Sequence, residues 1–99
     1  MIAGADTAVP TIGRIVHFRI TEHNAKQINA QRTQAGLATK TGNVAREGDV
    51  YPLLIVRVWD CNLVNGQLFL DGNDTLWVTS QPPAKEDGQL GAWFWPERV

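Results

Sequence analysis

Side chains alternate along much of this chain with the period of a β-strand. Over 12–20, Val16, Phe18 and Ile20 fall on one side and Ile15, His17 and Arg19 on the other. The stretch 50–59 is apolar on both sides: Leu54, Val56 and Val58 form one face, and Leu53, Ile55, Arg57 and Trp59 the other. That pattern predicts a central strand covered on both faces, with Pro52 near its start. Shorter strands are expected over 67–70, 76–80 and 92–95. Asp71-Gly72 between apolar runs signals a hairpin, Asp60 to Gly66 reads as a turn, and Gln81 to Gly91 as a loop rich in Pro and charge.

The period changes once. Thr21 has the chemistry of a helix N-cap, Glu22 sits where the helix dipole favours an anion, and Gly36 supplies a stop, which predicts a helix over about 21–35. Ala25 and Ile28 fit its apolar stripe and few others do, so the helix is expected to be weakly held by its own domain. It would then pack on a second subunit or cover a pocket. The alternative is a solvated excursion anchored by one Ile. The expected fold is mostly β: a small five-stranded antiparallel curved sheet or SH3-like barrel with this one helical insertion. Residues 1–11 read as a flexible N-terminal arm, Leu37 to Ala45 as a polar connector, and 12–99 as the domain.

The chain has 99 residues, one domain's worth, and a domain this small has a thin stability margin, which favours a homo-oligomer. Net charge is −1 with no run of Lys or Arg, an argument against a partner as long and anionic as a nucleic acid strand. A small anion held by one or two Arg remains open. Cys61 is the only cysteine, so no internal disulfide is possible and a reducing cytoplasm fits best. Neither a signal peptide nor a membrane span is read in the sequence.

Four Trp in 99 residues is a high count, and their spacing pairs them with other groups on shared strand faces. Arg57 lies with Trp59, Trp77 with Thr79, and Trp93 with Trp95; His17 and Arg19 join if the first strand pairs alongside. If these faces converge, indole would stack a nucleobase and guanidinium would hold its phosphate. The competing reading is that the Trp fill a core or a subunit interface.

Catalytic and metal patterns are weak, and a non-enzyme without cofactor is expected. Asp71, Asn73 and Asp74 resemble a calcium loop, but Leu76 and Pro82 occupy the sixth and twelfth positions, where an EF-hand needs Gly and Glu. A turn whose side chains cap its own amides suits them better. His17 and His23 have no zinc-type spacing with Cys61 or a carboxylate. A Cys61–His dyad is conceivable on paper, but Cys61 reads as a loop residue or a small buried hydrophobe. Ser80, the only serine, lies outside any nucleophile motif, and no glycine loop cradles phosphate.

The stretches Gly13-Arg14-Ile15-Val16-His17-Phe18, Glu47-Gly48-Asp49-Val50-Tyr51-Pro52-Leu53, Val58-Trp59 and Val64-Asn65-Gly66-Gln67 occur in order. Leu70-Asp71-Gly72-Asn73-Asp74, Trp77-Val78-Thr79-Ser80 and Trp95-Pro96-Glu97-Arg98 follow. Together they resemble a group of small proteins encoded by tailed bacteriophages, over Gly13 to Arg98. The resemblance implies an accessory or structural phage product and carries over no catalytic residue. Small phage proteins also include sponges for cyclic-nucleotide or ADP-ribose immune signals; that comparison rests on size and phage origin alone. The leading expectation is thus an anti-defence sponge for a small anionic ligand in the host cytoplasm, with Arg57, Trp59, Trp77, Thr79, Trp93, Trp95, His17 and Arg19 as ligand-binding residues. A minor virion or assembly component, or an inhibitor that binds a host protein through its aromatic surface, is the alternative.

Overall fold

A computed structural model describes residues 9–34 and 44–97. The expected arm over 1–8, the Gly36 stop and the connector over 37–43 lie outside the described residues. The chain order is β1 (Ile15–Arg19), α1 (Glu22–Gln34), β2 (Val50–Val58), β3 (Val64–Phe69), β4 (Thr75–Gln81) and β5 (Ala92–Phe94). The strands form one antiparallel sheet in the order β4-β3-β2-β1-β5, curled into a half-barrel. The mostly β fold with one helix is therefore as the sequence indicates.

The alternation in β1 holds. Val16, Phe18 and Ile20 are fully buried inside the curl, where they meet Tyr51, Leu53, Ile55, Val64, Leu68, Leu76, Val78 and Trp93. The strand begins three residues later than expected, because Gly13 takes a left-handed φ of 91° in a turn closed by the Arg14 amide on the Thr11 carbonyl. The chain is already docked at Pro10, which is buried, so the loose arm does not extend to Thr11.

Thr21 caps α1. Its Oγ1 accepts the Asn24 amide at 3.1 Å, and Asn24 Oδ1 accepts the Thr21 amide at 3.0 Å, a reciprocal capping box with Asn at the third helical position. The apolar stripe is as thin as expected, but the helix is not loosely held. Ala25 and Ile28 enter the core, and Arg32 is buried one turn further on, where it grips the β3–β4 hairpin. Its Nε donates to Asp74 Oδ2 at 2.7 Å and its Nη2 to Asp74 Oδ1 at 3.1 Å. Asn29 exchanges two hydrogen bonds with the Ala45 backbone. Polar links replace the missing apolar contacts, and the helix packs on its own sheet.

Two expectations for the middle of the chain fail at one level of the sheet. The turn after β2 is only Asp60–Asn62, with Cys61 and Asn62 at positive φ of 61° and 60°, as a tight hairpin turn with a right-handed twist requires. Asn65-Gly66, read as part of a turn, lies inside β3. There both neighbouring strands gain a residue relative to β3: Val56 is extra between the pairs Ile55–Gly66 and Arg57–Asn65, and β4 has Thr79 and Ser80 opposite Asn65. Ser80 adopts a left-handed φ of 54°. Paired bulges bend and twist the strands, and so curl the sheet. Gly66 is needed where it bends: a Cβ there would stand 2.1 Å from the Leu54 carbonyl oxygen.

The faces expected for β2 hold as far as Ile55, and past it the bulge at Val56 reverses them. Leu53 and Ile55 point inward, but Arg57 points outward with Pro52 and Leu54. The outer side of β2 is not covered: Val50 and Val56 are exposed and Leu54 is half-buried. The β2–β3 ladder begins at Leu53–Leu68, one position past Pro52, which has no N–H to give.

Candidate functional site

The expected binding residues do not share one hollow. They divide between the two faces of the sheet. Trp93 is an interior residue: its ring is 3% exposed, and its Nε1 donates to the Asn62 carbonyl at 3.0 Å. Trp95 packs edge-on against it, ring centres 5.6 Å apart, and is half-buried against the core beneath Arg14. These two indoles belong to the core, because Trp93 pairs with Phe18 and takes that strand's inward side.

His17 and Arg19 lie on the opposite face. His17 meets Phe94 edge-on at 5.6 Å, and the Arg19 guanidinium lies 5.5 Å from the same ring. Arg19 Nη1 donates to the Gly48 carbonyl at 3.1 Å, while its Nε is buried with no partner. Arg57 and Trp59 do come together, with the guanidinium 4.5 Å from the indole centre. Asn65 holds that indole in place: its Oδ1 accepts Trp59 Nε1–H at 3.0 Å and the Ser80 amide at 2.7 Å. One amide side chain therefore fixes both the bulge and the orientation of the exposed Trp. Arg57 lies five positions along β2 from Pro52, the partner of His17, which places the two groups roughly 16 Å apart along the strand. Trp77 and Thr79 are exposed on β4, at the sheet's edge.

What the outer face does gather is an apolar surface. The pairings Ile15–Leu54, Leu54–Gln67 and Gln67–Trp77 place Trp77, Gln67, Leu54 and Ile15 in one row across four strands. Beside it run Phe69 on β3, Pro52 on β2, His17 on β1 and Phe94 on β5. Trp77, Phe69 and Ile15 are 47%, 44% and 55% exposed. Among the described residues no strand position carries an Asp or Glu, while Arg19, Arg57 and His17 do lie on this side. Sequence reasoning missed Leu54, Phe69, Phe94 and Asn65. The signal for Leu54 was present in the two-sided apolar pattern of β2, but it was read as burial on both sides.

Two surface clefts lie elsewhere on the described residues, and neither includes Arg57 or a Trp. One, of about 410 Å³, lies between Arg19, Phe94, Lys85, Glu86, Asp87 and Glu97, where three carboxylates oppose an anion. The other, of about 640 Å³, is open and bounded by Val44, Arg46, Asp49, Tyr51, Phe69 and Asp71. Burial raises the Tyr51 phenol above its ordinary pKa, and the nearby Asp49 carboxylate adds to this. Asp74, one of the two carboxylates of the supposed calcium loop, is taken by Arg32. Those hydrogen bonds hold its pKa below the usual carboxylate value and raise that of Arg32. Cys61 is exposed in its turn, not a buried hydrophobe. Among the described residues, no group of three or more His, Cys, Asp and Glu is placed to hold a metal, and no helix is long and apolar enough to cross a membrane. No known family, curated protein or solved structure matches the chain.

Proposed function

We propose that this chain is a non-enzymatic binding protein, of the phage accessory or assembly kind its motifs resemble, and that it engages a protein through the outer face of its sheet. The observation that carries this reading is the uncovered row Ile15–Leu54–Gln67–Trp77 with Phe69, Pro52 and Phe94 beside it. Contiguous exposed apolar surface on a small protein marks an interaction site, and Trp, Phe and Arg are the residues enriched in such surfaces. Five strands about 4.8 Å apart make a face roughly 20–25 Å wide, on the scale of the ~800 Å² that one partner contributes to a standard interface. The aliphatic groups Ile15, Leu54 and Val56 suit a protein better than a nucleobase, which stacks on rings. A small ligand normally sits in a concavity, and this face is the outside of a curl.

One observation favours a second reading. Arg57 stacked on Trp59 directs a guanidinium edge to solvent and remains a fitting anchor for a nucleotide-type phosphate. One experiment separates the two. Immobilised protein is exposed to host lysate, alongside Ile15→Glu, Trp77→Thr and Arg57→Ala, and bound material is analysed for both proteins and heat-released nucleotides. A protein lost with Ile15→Glu and Trp77→Thr, while both variants keep the parent's melting temperature, supports the outer-face reading. A nucleotide lost only with Arg57→Ala sinks it, and so does a captured protein indifferent to all three changes.

A further inference from the structure

The sheet has two edges, and they are treated differently. At β5 the segment 82–84 covers the edge: Trp93 donates to the Pro82 carbonyl at 2.9 Å, and the Ala84 amide donates to the Trp93 carbonyl at 2.7 Å. At β4 no strand among the described residues lies alongside. The seven residues Thr75–Gln81 include no charge and no Pro, two of the usual means of blunting an edge, and the third, a bulge, falls at Thr79–Ser80 near the far end of the strand. The Leu70 amide bonds the Asp74 carbonyl, which sets the alternation of the ladder. Leu76 and Val78 then direct their backbone groups at β3, and Thr75, Trp77 and Thr79 direct theirs outward.

The outward carbonyls are not all open. Gln31 of α1 donates its Nε2 to the Thr75 carbonyl at 2.9 Å, and Gln81 donates its Nε2 to the Thr79 carbonyl. Between them, the N–H and C=O of Trp77 have no partner among the described residues. We infer that the β4 edge is a latent self-pairing surface for a second copy of this chain, held closed by Gln31 and Gln81.

The occupant follows from the pattern of donors and acceptors. An antiparallel copy centred on Trp77 matches Trp77 with its own equivalent through two reciprocal bonds and sets Thr75 opposite Thr79 on either side. The remaining bonds of that pairing all need a Thr75 or Thr79 carbonyl, and each of these already accepts a glutamine amide with which an incoming strand's N–H must compete. Two bonds at a two-fold axis do not hold two chains together, because each is worth only about 1 kcal/mol net of water. With the carbonyls released, the pairing is complete, and the two curled sheets become one. Gln31 reaches the edge from the helix, so the lock on Thr75 depends on α1 staying in place.

The test uses the whole protein and its own association. Sedimentation velocity over a concentration series compares the parent with Gln31→Ala/Gln81→Ala, and with Trp77→Ala and Trp77→Pro in that double-variant background. The expected result is a self-association midpoint at least about tenfold lower in the double variant. Trp77→Ala should keep that shift, since the amide remains, and Trp77→Pro should abolish it, since proline has none and an edge tolerates it. The Ala control separates edge pairing from any contact made by the indole on the outer face. An unchanged midpoint in a double variant with the parent's circular dichroism overturns the inference. So does an association that survives Trp77→Pro.

Discussion

The two faces of one sheet were built from the same few residue types, and they differ in what holds each side chain. On the inner face Val16, Phe18, Leu53 and Leu68 are sealed by the curl and by Ile28 of the helix. On the outer face Ile15, Phe69 and Trp77 are as apolar but exposed, with half-buried Leu54 among them. A hydrophobic residue inside needs no explanation beyond stability, since each buried large apolar side chain contributes about 1.5–3 kcal/mol. A row of them outside contributes little to the folded monomer and has to be accounted for by contact with something else. The contrast is sharpened by charge: among the described residues the acids lie in turns, loops and helices, and none on a strand.

The largest test of that contrast is Gly66→Ala. The added methyl would meet the Leu54 carbonyl at 2.1 Å and Leu53 Cδ1 at 2.8 Å, and backbone cannot move aside as a side chain can. The bend that separates inside from outside should be lost, at a cost of about 3 kcal/mol or more in chemical denaturation. A fully stable alanine variant would show that the curl has another origin. Next comes Asp74→Ala, which takes the carboxylate away from the buried Arg32 guanidinium and leaves it neutral acceptors such as the Asp71 carbonyl at 3.3 Å; the expected loss is about 3 kcal/mol. The pH dependence of the parent follows with a definite sign. Asp74 has a folded-state pKa below its ordinary value of 3.8, so its contribution is fully present above about pH 4 and is lost as pH falls through the depressed folded value. The acid limbs of the parent and of Asp74→Asn should therefore converge as pH falls, in urea melts taken at steps of half a unit. Parallel limbs would remove Asp74 from the account of acid stability.

Most of the inner face was legible in the sequence, and much of the outer face was not, for a reason that lies in β2 and β3. Val16, Phe18 and Ile20 form an uninterrupted alternation, and Thr21 followed by Asn24 is a local signal, so both were readable from neighbours alone. The bulge at Val56 is not local. It arises because Asn65 and Gly66 on another strand fix where the sheet bends, and it moves Arg57 to the side opposite Leu53 and Ile55. A strict period of two cannot register such a slip. The same limit applies to Trp93 and Trp95. Their mutual proximity was readable, but which face they occupy depends on Trp93 pairing with Phe18 far along the chain. The grip of Arg32 on Asp74 is likewise a long-range fact, and without it the helix looked unanchored.

Asn65 sits at the hinge of the comparison, and its effect should be smaller. Asn65→Ala removes the acceptor for both the Ser80 amide and the Trp59 indole N–H. These groups are exposed and can turn to water, so the loss should be about 1 kcal/mol, well below that of Gly66→Ala. Trp59 should gain mobility, seen as lower steady-state fluorescence anisotropy in a variant with the other three Trp replaced by Phe. An unchanged anisotropy would mean that Arg57, 4.5 Å from the indole, suffices to hold it.

The smallest effect on stability is also the most telling about function. Trp77→Thr and Ile15→Thr remove a large ring and an aliphatic group from the outer face and replace them with good strand formers. If that face is idle in the isolated domain, each change should shift the unfolding free energy by no more than about 0.5 kcal/mol. The matching inner change, Ile55→Thr, should cost several times as much, because Ile55 is 1% exposed and a hydroxyl would be buried with no partner. The ratio of inner to outer loss, measured in one set of urea melts, puts a number on the asymmetry between the faces. A Trp77 or Ile15 variant that loses as much as Ile55→Thr would mean that the outer face is already packed in the isolated protein, against a second copy of the chain. Its apolar row would then be a subunit core, and no surface would remain there for another partner.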